Sequence, residues 1–194
     1  MCSSDLRKLV GNYGTLYLSS STGAYEYQPD DTAINALTVN TSESFTLKVT
    51  DGSNATATQV LAVGIVAAND RPELSASRTS VTYTDTPVGD NFSAITGTLS
   101  GSDRDTGATL DYAIQGGTPD TTRGGYDLSK TSTFGTLYLN SSSGAYTFVP
   151  NGAAIEGQAS GTRVQNDFVF EVSDGTLSQS TGFTVWVVGE GDPP

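Results

Sequence analysis

Aspartate residues at predicted turns are the side chains of this sequence best suited to chemistry. Asp103 and Asp105 stand two residues apart in a loop between two strand-like runs. Asn69 and Asp70 stand in a short segment that ends in proline, and Asp174 opens an Asp-Gly turn. Ca²⁺ takes about six to eight oxygen ligands and tolerates irregular geometry, so carboxylate and amide oxygens suit it. The five residues are therefore a candidate calcium site.

The same aspartates have a second interpretation. Asp-Gly and Asx turns use aspartate only to hydrogen-bond the turn, and for Asp174 and Asp51 both interpretations stay open. For Asp103 and Asp105, the occurrence of two aspartates in one loop favours the metal-binding interpretation. The loop is not an EF-hand, because Gly107 falls at the fifth loop position instead of the sixth.

Composition excludes several classes of function. The 194 residues include no histidine, which removes the serine and cysteine hydrolase triads and histidine-ligated metals. Cys2 is the one cysteine, so an intramolecular disulfide and a multi-cysteine metal site are excluded. A net charge of −12 disfavours nucleic acid. No apolar run approaches the roughly 18 residues that span a bilayer. We expect neither an enzyme nor membrane insertion.

An internal repeat organises the chain. Residues 14–25 read GTLYLSSSTGAY and residues 135–146 read GTLYLNSSSGAY, which are identical at ten of twelve positions. FTLKVTDG at 45–52 returns as FVFEVSDG at 168–175. Two such matches at nearly equal separation indicate a tandem module.

The repeat predicts uneven domain limits. Residues 71–194 hold one complete module, and residues 11–70 hold only the second half of a preceding one. Residues 1–10 are interpreted as a non-homologous truncation or scar, so Cys2 has no predicted function. We expect 71–194 to fold alone, whereas 11–70 lacks the strands that would cover Phe45, Leu47 and Val49.

Alternating apolar residues predict strands throughout the chain. Phe168, Phe170 and Val172 share one face, and Ser143-Gly144 predicts a hairpin turn. Two segments are compatible with one helical turn each, at 33–37 and 153–156. Strands at this spacing predict an all-β fold of tandem antiparallel β-sandwich modules, of the immunoglobulin or cadherin type.

This fold would bring the candidate ligands together. In a sandwich whose chain enters at one end, three segments share that end. They are the linker that holds Asn69 and Asp70, the loop after the second strand run, and the last hairpin. Asn69, Asp70, Asp103, Asp105 and Asp174 are therefore expected to converge.

The ordered motifs resemble those of a known family. SDRDTGATLDY (102–112), GTLYLNSSSGAYTFVP (135–150), FVFEVSDG (168–175) and FTVWVVGEGDPP (183–194) resemble the VCBS-type, cadherin-like repeats of large bacterial (RTX-type) surface adhesins. The resemblance covers nearly all of residues 11–194. It implies a secreted, extracellular or cell-surface location and neighbouring repeats of the same chain as partners. Glycans of a cell surface or matrix would be bound through other domains.

The resemblance also implies the ligand set. The Asp-x-Asp pair of cadherin repeats corresponds to Asp103 and Asp105, the linker ligands to Asn69 and Asp70, and the hairpin aspartate to Asp174. Cadherins take further acidic ligands from the preceding module, but here that stretch is 35–43, in which only Glu43 is acidic. One or two Ca²⁺ ions are therefore expected, without a three-ion junction.

Two functions follow as hypotheses. The favoured one is a calcium-stiffened spacer in a large secreted adhesin that supports cell adhesion and biofilm attachment. The alternative is a carbohydrate-binding β-sandwich of an extracellular enzyme, with Tyr17, Tyr138 and Trp186 stacking on sugars. These aromatic residues are also compatible with cross-strand pairs. The tandem repeat favours the spacer, because a ligand-binding module usually occurs singly.

Overall fold

The computed structural model describes residues 5–86 and 89–190, and the chain divides into two compact units. The first unit holds the residues up to Asp70 together with Arg104–Gly107. The second holds Arg71–Asp103 and the residues from Ala108 onward. Both are built mainly of β-strands, which confirms the all-β class predicted from the sequence.

The first unit contains two small antiparallel sheets. Its strands are β1 (Leu6–Val10), β2 (Gly14–Ser19), β3 (Tyr25–Pro29), β4 (Thr41–Thr50) and β5 (Thr56–Ile65). One sheet has the order β1-β2-β3, and the other is the β4-β5 hairpin. A single helical turn, α1 (Asp31–Asn35), connects the two sheets. In this order β3 is an edge strand.

The second unit is a β-sandwich, as predicted, and its strand pairs are antiparallel apart from one parallel pair. One sheet contains β6 (Glu73–Ala76), β8 (Ile95–Ser102), β10 (Thr118–Pro119), β11 (Leu128–Ser132), β12 (Gly135–Leu139) and β13 (Ala145–Pro150). The other contains β7 (Ser80–Thr84), β9 (Asp111–Ile114), β14 (Arg163–Ser173) and β15 (Ser178–Val188). Their orders are β10-β11-β12-β13-β8-β6 and β7-β15-β14-β9, and the helical turn α2 (Gly152–Glu156) joins β13 to β14.

Alternation along the strands builds the core of this sandwich. Side chains of a strand point to opposite faces in turn, so every second residue is buried. Phe168, Phe170 and Val172 of β14 are at most 1% exposed, as the alternation predicts. The ring of Phe168 lies 5.9 Å from that of Phe148 of β13, a separation typical of favourable aromatic pairs. The two sheets therefore share one apolar core.

Turn residues act largely as the sequence predicts. Gly144 has φ +71° in the turn between β12 and β13, a conformation that glycine adopts at little cost. The helical turn α1 begins two residues earlier than expected. The reason is its N-cap, since the Asp30 carboxylate accepts hydrogen bonds from the backbone N–H groups of Thr32 and Ala33.

Residues 6–10, which the sequence interpretation places outside the repeat, form strand β1. It pairs with β2 as β11 pairs with β12 in the second unit, with Val10 opposite Thr15. Residues 1–4, including Cys2, lie outside the described residues. The part of the chain that the structure describes contains no helix of the length and apolarity needed to span a membrane.

Exposure of the β4 face differs from the expectation at one position. Val49 is 67% exposed and Leu47 is partly exposed, but Phe45 is only 3% exposed. The expectation for Phe45 is therefore wrong. Its ring is covered within its own unit, where the Tyr27 ring lies 5.9 Å away.

The chain crosses the second unit from one end to the other. β6 pairs with β8 in one sheet, and after three residues β7 pairs with β15 in the other. β7 runs parallel to β15, with Thr84 opposite Val188. We call the end where β6 begins the leading end, and the end where β15 finishes the trailing end.

Candidate metal centre

Two of the predicted ligands lie at the leading end of the second unit. Asp103 directly follows β8, and Asp174 directly follows β14. These strand ends are close, because a Cβ built on Gly101 would lie 3.1 Å from a side-chain carbon of Val172. The topology thus brings both aspartates to the same end of one sandwich, although 70 residues separate them in sequence.

The Asp174 carboxylate also shapes its own hairpin. Its Oδ1 accepts hydrogen bonds from the backbone N–H groups of Thr176 at 2.6 Å and of Leu177 at 2.7 Å. Gly175 has φ +94°, which completes the turn. Asp51 makes the same kind of turn in the first unit. The turn interpretation of both aspartates therefore describes real hydrogen bonds, and the ligand role of Asp174 stays a prediction.

Asp70 and Asp105 are joined within the first unit. The backbone N–H of Asp70 donates a 2.9 Å hydrogen bond to Asp105 Oδ2, and Asp105 is only 5% exposed. A buried carboxylate requires such donors, because its charge loses hydration on burial. A second bond in the same segment runs from the Thr106 N–H to the Ala36 carbonyl. The Asp-x-Asp loop thus contributes a buried carboxylate beside the linker.

Asn69 is exposed and directly precedes this contact. Its side-chain NH₂ group donates a 3.1 Å hydrogen bond to the carbonyl of Asp70. The same side-chain amide also carries a carbonyl oxygen, and this oxygen is the atom that can bind a cation. Carboxylate and amide oxygens suit a hard cation such as Ca²⁺, and a site shared by all five residues stays a prediction.

Glu43 has a structural role in the first unit. Its carboxylate accepts hydrogen bonds from the Asn12 N–H at 2.7 Å, the Tyr13 N–H at 3.3 Å and the Tyr27 hydroxyl at 2.5 Å. Burial and this hydrogen bond raise the pKa of Tyr27 to about 12. Glu43 therefore fixes the β1-β2 turn.

A second acidic cluster, not identified from the sequence, lies at the trailing end of the second unit. One carboxylate oxygen from each of Asp85, Asp90 and Glu156 lies within 4.8 Å of the others. Asp85 is fully buried directly after β7, and its N–H donates to the carbonyl of Val188. Asp90 and Glu156 are partly buried. Like charges at this distance repel one another, and a bound cation relieves that repulsion.

Hydrogen bonds hold the cluster in place. Asp90 Oδ2 accepts from the Thr86 N–H at 2.6 Å, and the Asp90 N–H donates to Glu156 Oε1 at 2.8 Å. Glu156 ends α2, and the corresponding residue of α1 is Asn35. The first unit therefore has no carboxylate at this position, although the helical turn is repeated.

Two of the three aromatic residues of the carbohydrate hypothesis, Tyr138 and Trp186, contact arginine. The Arg163 guanidinium lies 3.9 Å from the Trp186 ring centroid, and that of Arg123 lies 5.5 Å from the Tyr138 ring centroid. Both distances are typical of cation–π contacts. One face of each ring is therefore covered, which leaves less area for a sugar to stack on.

Comparisons with known proteins give similarity to solved structures. The chain is similar to protocadherin gamma B2 extracellular cadherin domains 1–5, with a TM-score of 0.46, 16% identity, and coverage of 98% of this chain and 34% of that chain. For protocadherin gamma B7 extracellular cadherin domains 1–4 the TM-score is 0.41 at 17% identity, with coverage of 96% of this chain and 42% of that chain. For murine CEACAM1b it is 0.28 at 12% identity, covering 96% and 88%.

No family model and no curated protein matches the sequence. The chain spans about a third to two-fifths of the length of the protocadherin chains named above.

Proposed function

We propose that the chain is a calcium-stiffened spacer of a large secreted bacterial adhesin, which holds a binding domain away from the cell in adhesion and biofilm attachment. Its partners are neighbouring repeats of the same chain, and cell-surface or matrix glycans are bound by other domains. The chain path through the second unit is the observation that carries this proposal.

That path makes the second unit an extending element. The chain enters at the leading end and leaves at the trailing end, because β7 and β15 run parallel. β15 has 11 residues, and at about 3.3 Å per residue it spans roughly 36 Å. Each tandem copy of such a unit adds its length to an array. A sandwich with both termini at one end would add little length.

Acidic side chains at the two ends supply the proposed calcium dependence. Asn69, Asp70, Asp103, Asp105 and Asp174 are the proposed ligands of one or two Ca²⁺ ions, supported by the hydrogen bond between Asp70 and Asp105. A bound ion supplies positive charge that offsets the repulsion among the carboxylates. The trailing-end cluster offers carboxylates of the same chemistry.

The expected affinity suits an extracellular protein. Calcium sites of extracellular modules bind with a Kd of about 10⁻⁴–10⁻³ M. An ion that binds only the folded state stabilises it by RT ln(1 + [L]/Kd), about 2.7 kcal/mol at a hundredfold excess. Low intracellular calcium would keep the chain pliable until secretion, and millimolar calcium outside would stiffen it.

Thermal unfolding tests the calcium dependence. In 10 mM CaCl₂ the Tm should rise above its value in chelator by roughly 3–10 °C, from about 2–4 °C per kcal/mol. The double variant Asp103→Asn with Asp105→Asn should lose most of the rise. A matched control, Glu26→Gln with Glu171→Gln, removes the same charge from strands β3 and β14 and should keep it. An equal Tm with and without calcium would refute this part of the proposal.

A further inference from the structure

The two units share an architecture, but the first is uncovered where the second is covered. β1 to β5 with α1 correspond to β11 to β15 with α2, through the repeated sequences and the same strand pairings. In the second unit, β13 also pairs with β8, with Tyr146 opposite Gly97. In the first unit, β3 is an edge strand, and no counterpart of β6 to β9 lies among its described residues.

Core positions of the repeat are exposed as a result. Tyr25 is 54% exposed, whereas its counterpart Tyr146 is fully buried. Val49 is 67% exposed, whereas its counterpart Val172 is fully buried. Large exposed apolar surfaces on soluble proteins commonly mark interaction sites. Tyr25 and Val49 are therefore residue types of a core that stand exposed, and the surface that contains them is called the exposed face of the first unit.

A cleft lies between the two sheets of the first unit. Its volume is about 750 Å³, and Leu18, Leu47 and Val49 line it together with serine, threonine and charged side chains. The counterparts of Leu18 and Leu47 are Leu139 and Phe170, both fully buried in the second unit. There they pack in one cluster with Leu99 of β8 and Ile114 of β9.

Strand β8 shows what a fitting occupant requires. Gly97 lies against the Tyr146 ring, Gly101 lies against Val172, and Leu99 between them is 4% exposed. The small residues let the strand approach the ring closely, and the leucine fills the core. A strand with the pattern Gly-x-Leu-x-Gly thus matches both the open edge of β3 and the apolar side chains in the cleft.

We propose that this exposed face of the first unit is a docking surface for the first four strands of a repeat of the same type, the counterparts of β6 to β9. A strand like β8 adds to the edge of β3, opposite Tyr25, and covers Val49 and the cleft. Strand addition satisfies the open backbone edge while side-chain pockets give specificity. The inference depends neither on calcium nor on adhesion.

Thiol labelling of an extended chain tests the proposal. Residues 71–126 are appended directly before Leu6, in place of residues 1–5, because the strand pairings make Leu6 the counterpart of Asp127. Val49→Cys is introduced into this extended chain and into the original chain carrying Cys2→Ser, so each has a single thiol. Docking should slow the reaction of the Val49→Cys thiol with a maleimide by about tenfold or more, since a core thiol reacts only after opening.

Two controls make the result specific. Val60→Cys lies on the same hairpin at 55% exposure, and its counterpart Gly182 is exposed, so its labelling rate should stay unchanged. Gly97→Leu in the appended copy should restore the original rate at Val49→Cys, because a Cβ there enters the tyrosine ring. Ser100→Ala in the appended copy, an exposed position of the same strand, should keep the protection.

Three results would overturn the proposal. The first is an unchanged labelling rate at Val49→Cys in the extended chain. The second is equal protection at Val49→Cys and Val60→Cys, which indicates aggregation or misfolding. The third is protection of Val49→Cys in the original chain that increases with protein concentration, which would assign the face to a second copy.

Discussion

The contact between Gly97 and Tyr146 predicts a large effect from one added methyl group. A Cβ on Gly97 would lie 2.2 Å from Cζ and 2.3 Å from Oη of Tyr146, far closer than real contacts allow. The Gly97→Ala substitution must therefore displace a fully buried ring. The ring's hydroxyl donates a 2.6 Å hydrogen bond to the Arg78 carbonyl, and its centroid lies 4.8 Å from that of Phe170. Displacement weakens both interactions.

The magnitude follows from these two losses. Overpacking of a core costs about 1–3 kcal/mol, and loss of a buried hydrogen bond costs about 1 kcal/mol. The free energy of unfolding of the second unit should fall by roughly 2–4 kcal/mol. Gly182→Ala is a matched control, because a Cβ there meets no atom within 4 Å. It should be neutral or stabilising by up to about 1 kcal/mol, since alanine lowers the entropy of the unfolded chain.

Urea unfolding followed by Trp186 fluorescence measures this effect. Trp186 is the one tryptophan of the chain and lies in β15, so its signal reports the second unit. Adding Tyr146→Leu to Gly97→Ala removes the obstructing ring, and the double variant should recover at least about 1 kcal/mol relative to additivity. Equal unfolding midpoints for Gly97→Ala and Gly182→Ala would refute the predicted close contact.

Two further predictions concern folding and acid stability. Residues 71–194, expressed alone, should unfold cooperatively, whereas isolated 11–70 should aggregate or stay unfolded. Calorimetry of both pieces measures this difference, and a cooperative transition from 11–70 would contradict the assigned domain limits. The pKa of Asp127 is lowered because the Ser141 hydroxyl donates a hydrogen bond to its carboxylate. The contribution of Asp127 to stability is therefore present above its ordinary pKa of 3.8 and is lost as the pH falls through the lowered value. Asp127→Asn should flatten the loss of Tm in acid, and an unchanged acid profile would contradict this role.

Much of the fold is predictable because local rules and long-range packing agree. Phe168, Phe170 and Val172 alternate in sequence and are buried on one face of β14. Gly144 stands where a hairpin requires positive φ. The internal repeat then extends each local prediction to a second place in the chain.

Strand β1 escapes prediction because its apolar residues do not alternate. Leu6, Leu9 and Val10 are all more than half exposed, so backbone pairing with β2 positions the strand without burial. The strand pairings make residues 6–10 the counterparts of residues 127–131, and no residue of β1 is identical to its counterpart. Sequence identity therefore gives no signal for this strand.

The acidic residues are predictable in part. Sequence proximity to turns identifies Asp103 and Asp174, and the sandwich brings their strands to one end. The trailing-end cluster depends on topology instead. Glu156 lies 66 residues after Asp90, and Asp85 is placed by the parallel pairing of β7 with β15. Alternating apolar residues do not reveal that the chain passes from one sheet to the other between β6 and β7. The sequence therefore does not show that these three carboxylates lie together.

Small-angle scattering of the complete chain tests the calcium-stiffened spacer most directly. We predict a longer maximum dimension and a narrower distance distribution in millimolar CaCl₂ than in chelator, because bound calcium restrains the linker at 67–69. Asp103→Asn with Asp105→Asn should give the chelator profile in both conditions, and Glu26→Gln with Glu171→Gln should behave like the unmodified chain. Identical profiles for the unmodified chain with calcium and with chelator would contradict the account, and would leave these aspartates as turn-forming residues.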